Sequence, residues 1–63
     1  MKMPKGINKN QLLAAAGYRE RDIISNCKGW SFSENNGYNL YTFYHKDGEH
    51  SATWSATLAR WIN

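Results

Sequence analysis

Residues Trp30 to Ser55 read WSFSENNGYNLYTFYHKDGEHSATWS, and two dipeptides within them, Asn36-Gly37 and Asp47-Gly48, decide the fold. Both stand between segments of period two, and both suit a type I′ turn, which needs positive φ at its two central residues. With each taken as a two-residue loop, the register follows by counting. Around the first turn Asn35 faces Tyr38, Glu34 faces Asn39, Phe32 faces Tyr41 and Trp30 faces Phe43. Around the second, Lys46 faces Glu49, His45 faces His50, Phe43 faces Ala52 and Tyr41 faces Trp54. The turns are placed independently, yet they agree on sides. One face collects Trp30, Phe32, Tyr41, Phe43, Ala52, Trp54 and Ala56, and the other collects Ser31, Ser33, Leu40, Thr42, Tyr44, Ser51, Thr53 and Ser55. A three-residue Lys46-Asp47-Gly48 loop would instead set Tyr41 against Thr53 and scatter the aromatics over both faces. The pattern therefore predicts a three-stranded antiparallel meander over residues 30–56, with its aromatic face against helices and its hydroxyl-rich face toward solvent.

Upstream, residues 1–7 hold Pro4 and Gly6 and read as a flexible arm, followed by a helical region over 8–28. Asn8 is an N-cap with Gln11 three positions on, Ile7 and Leu12 form a hydrophobic staple, and Leu12, Leu13 and Ala16 share one stripe. This predicts a helix over 9–16, stopped at Gly17. From Arg19 to Lys28, Ile23, Ile24 and Cys27 recur at three- and four-residue spacing and Gly29 closes the segment. Gly17 inside one long helix would cost about 1 kcal/mol relative to alanine, so two short helices are expected. Residues 57–63, with Leu58, Trp61 and Ile62 at helical spacing, form a short C-terminal helix or extend the third strand; the helix is the expectation. The class is α+β, in one small domain.

A chain of 63 residues, 41% hydrophobic, buries only about 60% of the surface its unfolded form exposes. The nine Phe, Trp and Tyr residues must supply most of the core. A single cysteine, Cys27, excludes an internal disulfide, and it reads as a buried thiol on the second helix. Cys27, His45 and His50 have no metal-ligand spacing, so neither a metal nor another cofactor is expected. His45 and His50 read as exposed flanks of the second turn. No nucleophile stands beside a base in a recognisable pattern, and an enzyme is not expected. The longest apolar run, Leu12–Ala16, is far short of the roughly 20 residues that span a bilayer, and the N-terminus lacks a signal-peptide segment. The expectation is a cytoplasmic protein with no membrane partner.

Charge separates the two halves of the chain. Residues 1–28 carry Lys2, Lys5, Lys9, Arg19, Arg21 and Lys28 against Glu20 and Asp22, a net +4, whereas residues 29–63 are net −1. A polyanion would bind the first half. A short helix, a glycine turn and a second short helix over Lys9–Asn26, with Ala14-Ala15-Ala16, Gly17 and Ile23 in sequence, resemble a helix-turn-helix. Leu13 and Asn26 depart from that pattern. The resemblance implies that Arg19, Glu20 and Arg21 begin a recognition helix. Asn36-Gly37-Tyr38-Asn39-Leu40-Tyr41 likewise is similar to the wing of MerR-type and excisionase-like winged helices, with Asn39 where the wing carries arginine. The leading expectation is a small regulatory or accessory protein that binds DNA, with Lys5, Lys9, Arg19, Arg21 and Lys28 as contacts. The alternative is a compact protein-binding module, an inhibitor or adaptor, that meets a larger protein through Leu40, Thr42, Tyr44 and Thr53. An edge strand at Trp30–Glu34 also leaves room for a homodimer.

Overall fold

The computed structural model describes residues 2–63. Two helices, α1 (Lys9–Ala14) and α2 (Tyr18–Ser25), precede four strands: β1 (Cys27–Asn35), β2 (Tyr38–His45), β3 (Ser51–Ser55) and β4 (Arg60–Trp61). The strands form one antiparallel sheet in the order β1-β2-β3-β4. The domain is thus α+β, with two helices and a four-stranded sheet rather than a three-stranded one. No described helix is long and apolar enough to cross a membrane.

Local chemistry accounts for the element ends. Asn8 caps α1, its Oδ1 accepting the Asn10 N–H at 2.8 Å. Gly17 is the N-cap of α2 with an ordinary extended φ of −85°, and the Glu20 carboxylate accepts its N–H at 2.9 Å. Gly17 therefore starts the second helix instead of stopping the first. Helix α2 ends at Ser25, and Cys27 and Lys28 belong to β1. Cys27 pairs with His45 across the sheet, and a bulge between Cys27 and Gly29 absorbs Lys28.

The first hairpin has the register counted from sequence, Asn35 against Tyr38 through Trp30 against Phe43, with Asn36 and Gly37 at φ 53° and 85° as a type I′ turn requires. The second keeps Phe43 against Ala52 and Tyr41 against Trp54, but its loop differs. Only Gly48 has positive φ (78°). The Lys46 N–H turns away to the Asn26 carbonyl, and the ladder closes at His45, whose N–H donates to His50 O at 2.8 Å. Lys46 and Glu49 belong to a longer loop, not to a strand pair.

The expected C-terminal helix over 57–63 is absent. The chain reverses over residues 56–59, and β4 returns along β3 with Trp61 against Trp54 and Arg60 against Ser55. The reversal holds Ala59 at φ 56°, a left-handed conformation that costs an alanine about 1 kcal/mol. Ala59→Gly is therefore expected to stabilise the protein by about 0.5–1 kcal/mol, read as a rise in the thermal unfolding midpoint. An unchanged or lowered midpoint would contradict the strained turn.

Leu12, Ile23, Ile24, Phe43, Ala52 and Trp54 form the buried core, with Met3, Ile7, Leu13, Cys27, Tyr41 and Trp61 packed around it. The aromatic face is covered along only part of its length. An eight-residue α2 runs about 12 Å, whereas a nine-residue β1 runs about 30 Å. Trp30 and Phe32 consequently remain 39% and 51% exposed, Trp30 touching Tyr41 edge-on at a ring separation of 5.9 Å and Phe32 meeting it at a tilt at 5.0 Å.

Candidate functional site

Three surfaces carry polar chemistry or exposed aromatic area. The first is the set of cations in the amino-terminal half. Lys5 sits in the turn before α1, where the Ile7 N–H returns to the Pro4 carbonyl, and Lys9 is the first residue of α1. Arg21 lies on α2, its guanidinium 3.4 Å from the Leu13 carbonyl, beside a depression lined by Ala16, Gly17 and Tyr18. Lys28 occupies the β1 bulge, with its ammonium group over Gly48. Arg19 is engaged within the fold, donating to the Ser51 carbonyl and pairing with Glu20 at 3.4 Å. All five are exposed. They do not converge on one point: Arg19 and Lys28 lie against the β2–β3 loop region, and Arg21 reaches toward α1.

The second surface is the outer face of the sheet. Four of its hydroxyls bond in pairs, Thr42 with Thr53 at 3.0 Å and Ser31 with Tyr44 at 2.8 Å. Ser55 is fully buried, its Oγ accepting the Leu58 N–H at 3.0 Å. Leu40 borders an open depression of about 310 Å³ with Tyr38, Leu58 and Ile62. This end of the face gains apolar area because the β3–β4 reversal adds Leu58 and the segment after β4 adds Ile62.

The third was legible only in part from residue order. His45 lies on the helix-facing side of β2, and its Nε2 meets Asp22 Oδ2 of α2 at 3.2 Å. The Asp47 N–H donates to His45 Nδ1 at 3.0 Å, and the Asp47 carboxylate meets the His50 ring at 2.6 Å. An aspartate–histidine chain thus joins α2 to the β2–β3 loop, beside a depression of about 450 Å³ shared with Tyr18 and Arg19. The pairing of His45 with His50 follows the counted register, with ring centroids 6.1 Å apart. His45 is mostly covered, however, instead of flanking the turn in solvent. The contribution of Asp22 could not be counted from the turns, because it depends on how α2 lies across the sheet.

Both ring nitrogens of His45 are engaged, and no group of three or more His, Cys, Asp or Glu side chains among the described residues has the geometry to hold a metal ion. The chain is a structural tie with a pH dependence. Asp47 accepts the Glu49 N–H at 2.8 Å, the His50 N–H at 3.1 Å and the His50 ring, which together hold its carboxyl well below the usual range. The same bond to Asp47 raises the His50 pKa. A raised folded-state pKa at His50 stabilises below its unfolded value of about 6.5, and that contribution is lost as pH rises through the folded value. A lowered pKa at Asp47 stabilises above about 4, and that contribution is lost as pH falls. The tie is complete between these limits. Thermal midpoints measured against pH should be highest there, and this maximum should be lost in Asp47→Asn; an identical profile in the variant would remove the tie.

No family model matches the chain, and comparison with curated proteins and with solved structures gives no match.

Proposed function

We propose that the protein binds nucleic acid through its amino-terminal layer, as a small regulatory or accessory protein of winged-helix character. In this reading α1 and α2 form the helical pair and the β1–β2 hairpin, tipped by Asn36-Gly37, is the wing. One observation supports it above the others. Lys2, Lys5, Lys9, Arg21 and Lys28 are exposed, and none forms an ion pair among the described residues, where Arg19 with Glu20 is the one pair made by a lysine or arginine. Unpaired cations at the surface lose little on meeting phosphate and release condensed counterions from the nucleic acid.

The test is fluorescence anisotropy of a labelled DNA duplex over a salt series. The logarithm of the affinity should fall linearly with the logarithm of salt, by about 0.9 per phosphate neutralised. Lys9→Glu with Arg21→Glu should weaken binding at least about tenfold, since each reversal replaces an attraction with a repulsion. Arg19 is a poorer probe than Arg21, because reversing it removes both the bond to the Ser51 carbonyl and the pair with Glu20, whereas Arg21 makes only a 3.4 Å contact with the Leu13 carbonyl. Affinity independent of salt would defeat the reading.

A second reading has its own support. On the outer face Thr42 with Thr53, and Ser31 with Tyr44, already bond to each other, so covering these four residues strands few polar groups, and Tyr38, Leu58 and Ile62 are each more than two-fifths exposed around the neighbouring depression. This suits a protein partner met through Leu40, Thr42, Tyr44 and Thr53. Loss of function in Tyr44→Ala, with the charge-reversed variant active, would favour it over nucleic acid.

A further inference from the structure

The β1 edge is first in the strand order, and no described strand pairs with its outer side. The hydrogen bonds of β2 show which β1 groups face outward. The Asn39 carbonyl accepts the Ala56 N–H at 2.9 Å and the His45 N–H donates to His50 O at 2.8 Å, so the odd-numbered residues of β2 bond toward β3. By the alternation of an antiparallel ladder, its even-numbered residues bond toward β1. Their β1 partners are Gly29, Ser31, Ser33 and Asn35. The backbone N–H and C=O groups of Trp30, Phe32 and Glu34 are left directed outward.

We propose that this edge pairs with a second copy of the chain, antiparallel about a two-fold axis at Phe32, to form a continuous eight-stranded sheet. In that register Phe32 faces the partner's Phe32, Trp30 faces the partner's Glu34, and the outward groups of all three residues find partners. The pairing joins like faces, because the opposed residues all lie on the helix-facing side. It also buries apolar area now in water, Trp30 and Phe32 being 39% and 51% exposed.

Charge selects a second copy as the occupant. The Trp30 indole N–H donates to the Lys2 carbonyl at 3.0 Å, which lays the basic arm over Trp30. The partner's Glu34, opposite Trp30, is thereby brought to the Lys2 arm, and the two-fold axis repeats the arrangement. No like charges are opposed. The edge from Trp30 to Asn35 carries no lysine or proline of the kind that blocks edge pairing, and the bulge at Cys27/Gly29 ends the ladder beyond it. The proposal does not depend on nucleic-acid binding. The axis is perpendicular to the sheet, so it puts the helical layers of both copies on one side.

The experiment is sedimentation equilibrium from micromolar to millimolar protein, combined with site-specific crosslinking. The wild type should pass from 7.3 kDa to twice that mass as concentration rises. Phe32→Glu, which opposes two carboxylates at the axis, should raise the dimer dissociation constant at least about tenfold, with unchanged circular dichroism. Phe32→Cys should form a disulfide-linked dimer under mild oxidation, because a hydrogen-bonded antiparallel pair sets Cα atoms about 5.5 Å apart, within disulfide range. Peptide mapping separates that link from any through Cys27. Ser31→Cys, which faces the partner's Ser33, should crosslink far more slowly. A monomer at every concentration, a dimer indifferent to Phe32→Glu, or equal crosslinking at positions 31 and 32 would each overturn the proposal; the cysteine pair decides the matter even if Phe32→Glu fails to fold.

Discussion

Trp54→Ala is expected to lower the unfolding free energy by about 3–5 kcal/mol. The ring is 1% exposed at the centre of the sheet, opposite Tyr41 on β2 and packed edge-on against Trp61 at 5.3 Å. Its removal leaves a void between sheet and helices that neither short helix can close, because both are anchored, α1 by the Trp61 indole and α2 by the His45–Asp22 contact. At roughly 0.05–0.15 kcal/mol per residue, a chain this size holds about 3–9 kcal/mol in total. The variant should therefore be largely unfolded in water or melt far below the wild type, as read by urea denaturation followed by circular dichroism. A loss under about 1 kcal/mol would mean that Trp54 is not the centre of the core.

Trp61 offers the sharper test of the carboxyl-terminal end. Trp61→Ala should cost about 2–4 kcal/mol, and Trp61→Phe about 1–2 kcal/mol. Helix α1 stops at Ala14 and the Ala16 N–H bonds to Leu13, so the Leu12 carbonyl receives no helical donor. The Trp61 indole N–H supplies one at 3.1 Å. Phenylalanine keeps the packing on Trp54 and Phe43 but leaves that carbonyl unpaired, whereas alanine loses both. An exposed C-terminal helix would show small and nearly equal costs for the two substitutions, measured by the same denaturation. A clear ranking, alanine worse than phenylalanine, is the signature of β4.

The regions differ in how much of them could be read from residue order. Asn36-Gly37 is decisive because its backbone preference is local, and Phe32 against Tyr41 follows from it by counting. Asp47-Gly48 carries the same preference, yet Asp47 uses its carboxylate to gather the Glu49 and His50 N–H groups, so a longer loop forms at unchanged register. Residues 57–63 mislead for a different reason. Leu58, Trp61 and Ile62 have helical spacing, but Trp61 gains more by returning to Trp54, even with Ala59 in the left-handed region. Cys27 and Lys28 join β1 because β2 extends to His45 and offers a partner that far along. The basic residues were all legible as exposed; their dispersal, and the internal use of Arg19, were not.

Residue order alone determined the α+β class, the pairing of the first three strands and the single aromatic face, since turn preference and two-residue alternation act over neighbouring positions. Tertiary packing decided the fourth strand, the exposed stretch of aromatic face and the meeting of Asp22 with His45. Those features depend on where helices of limited length come to rest on a longer sheet, and contacts between segments distant in sequence set that balance.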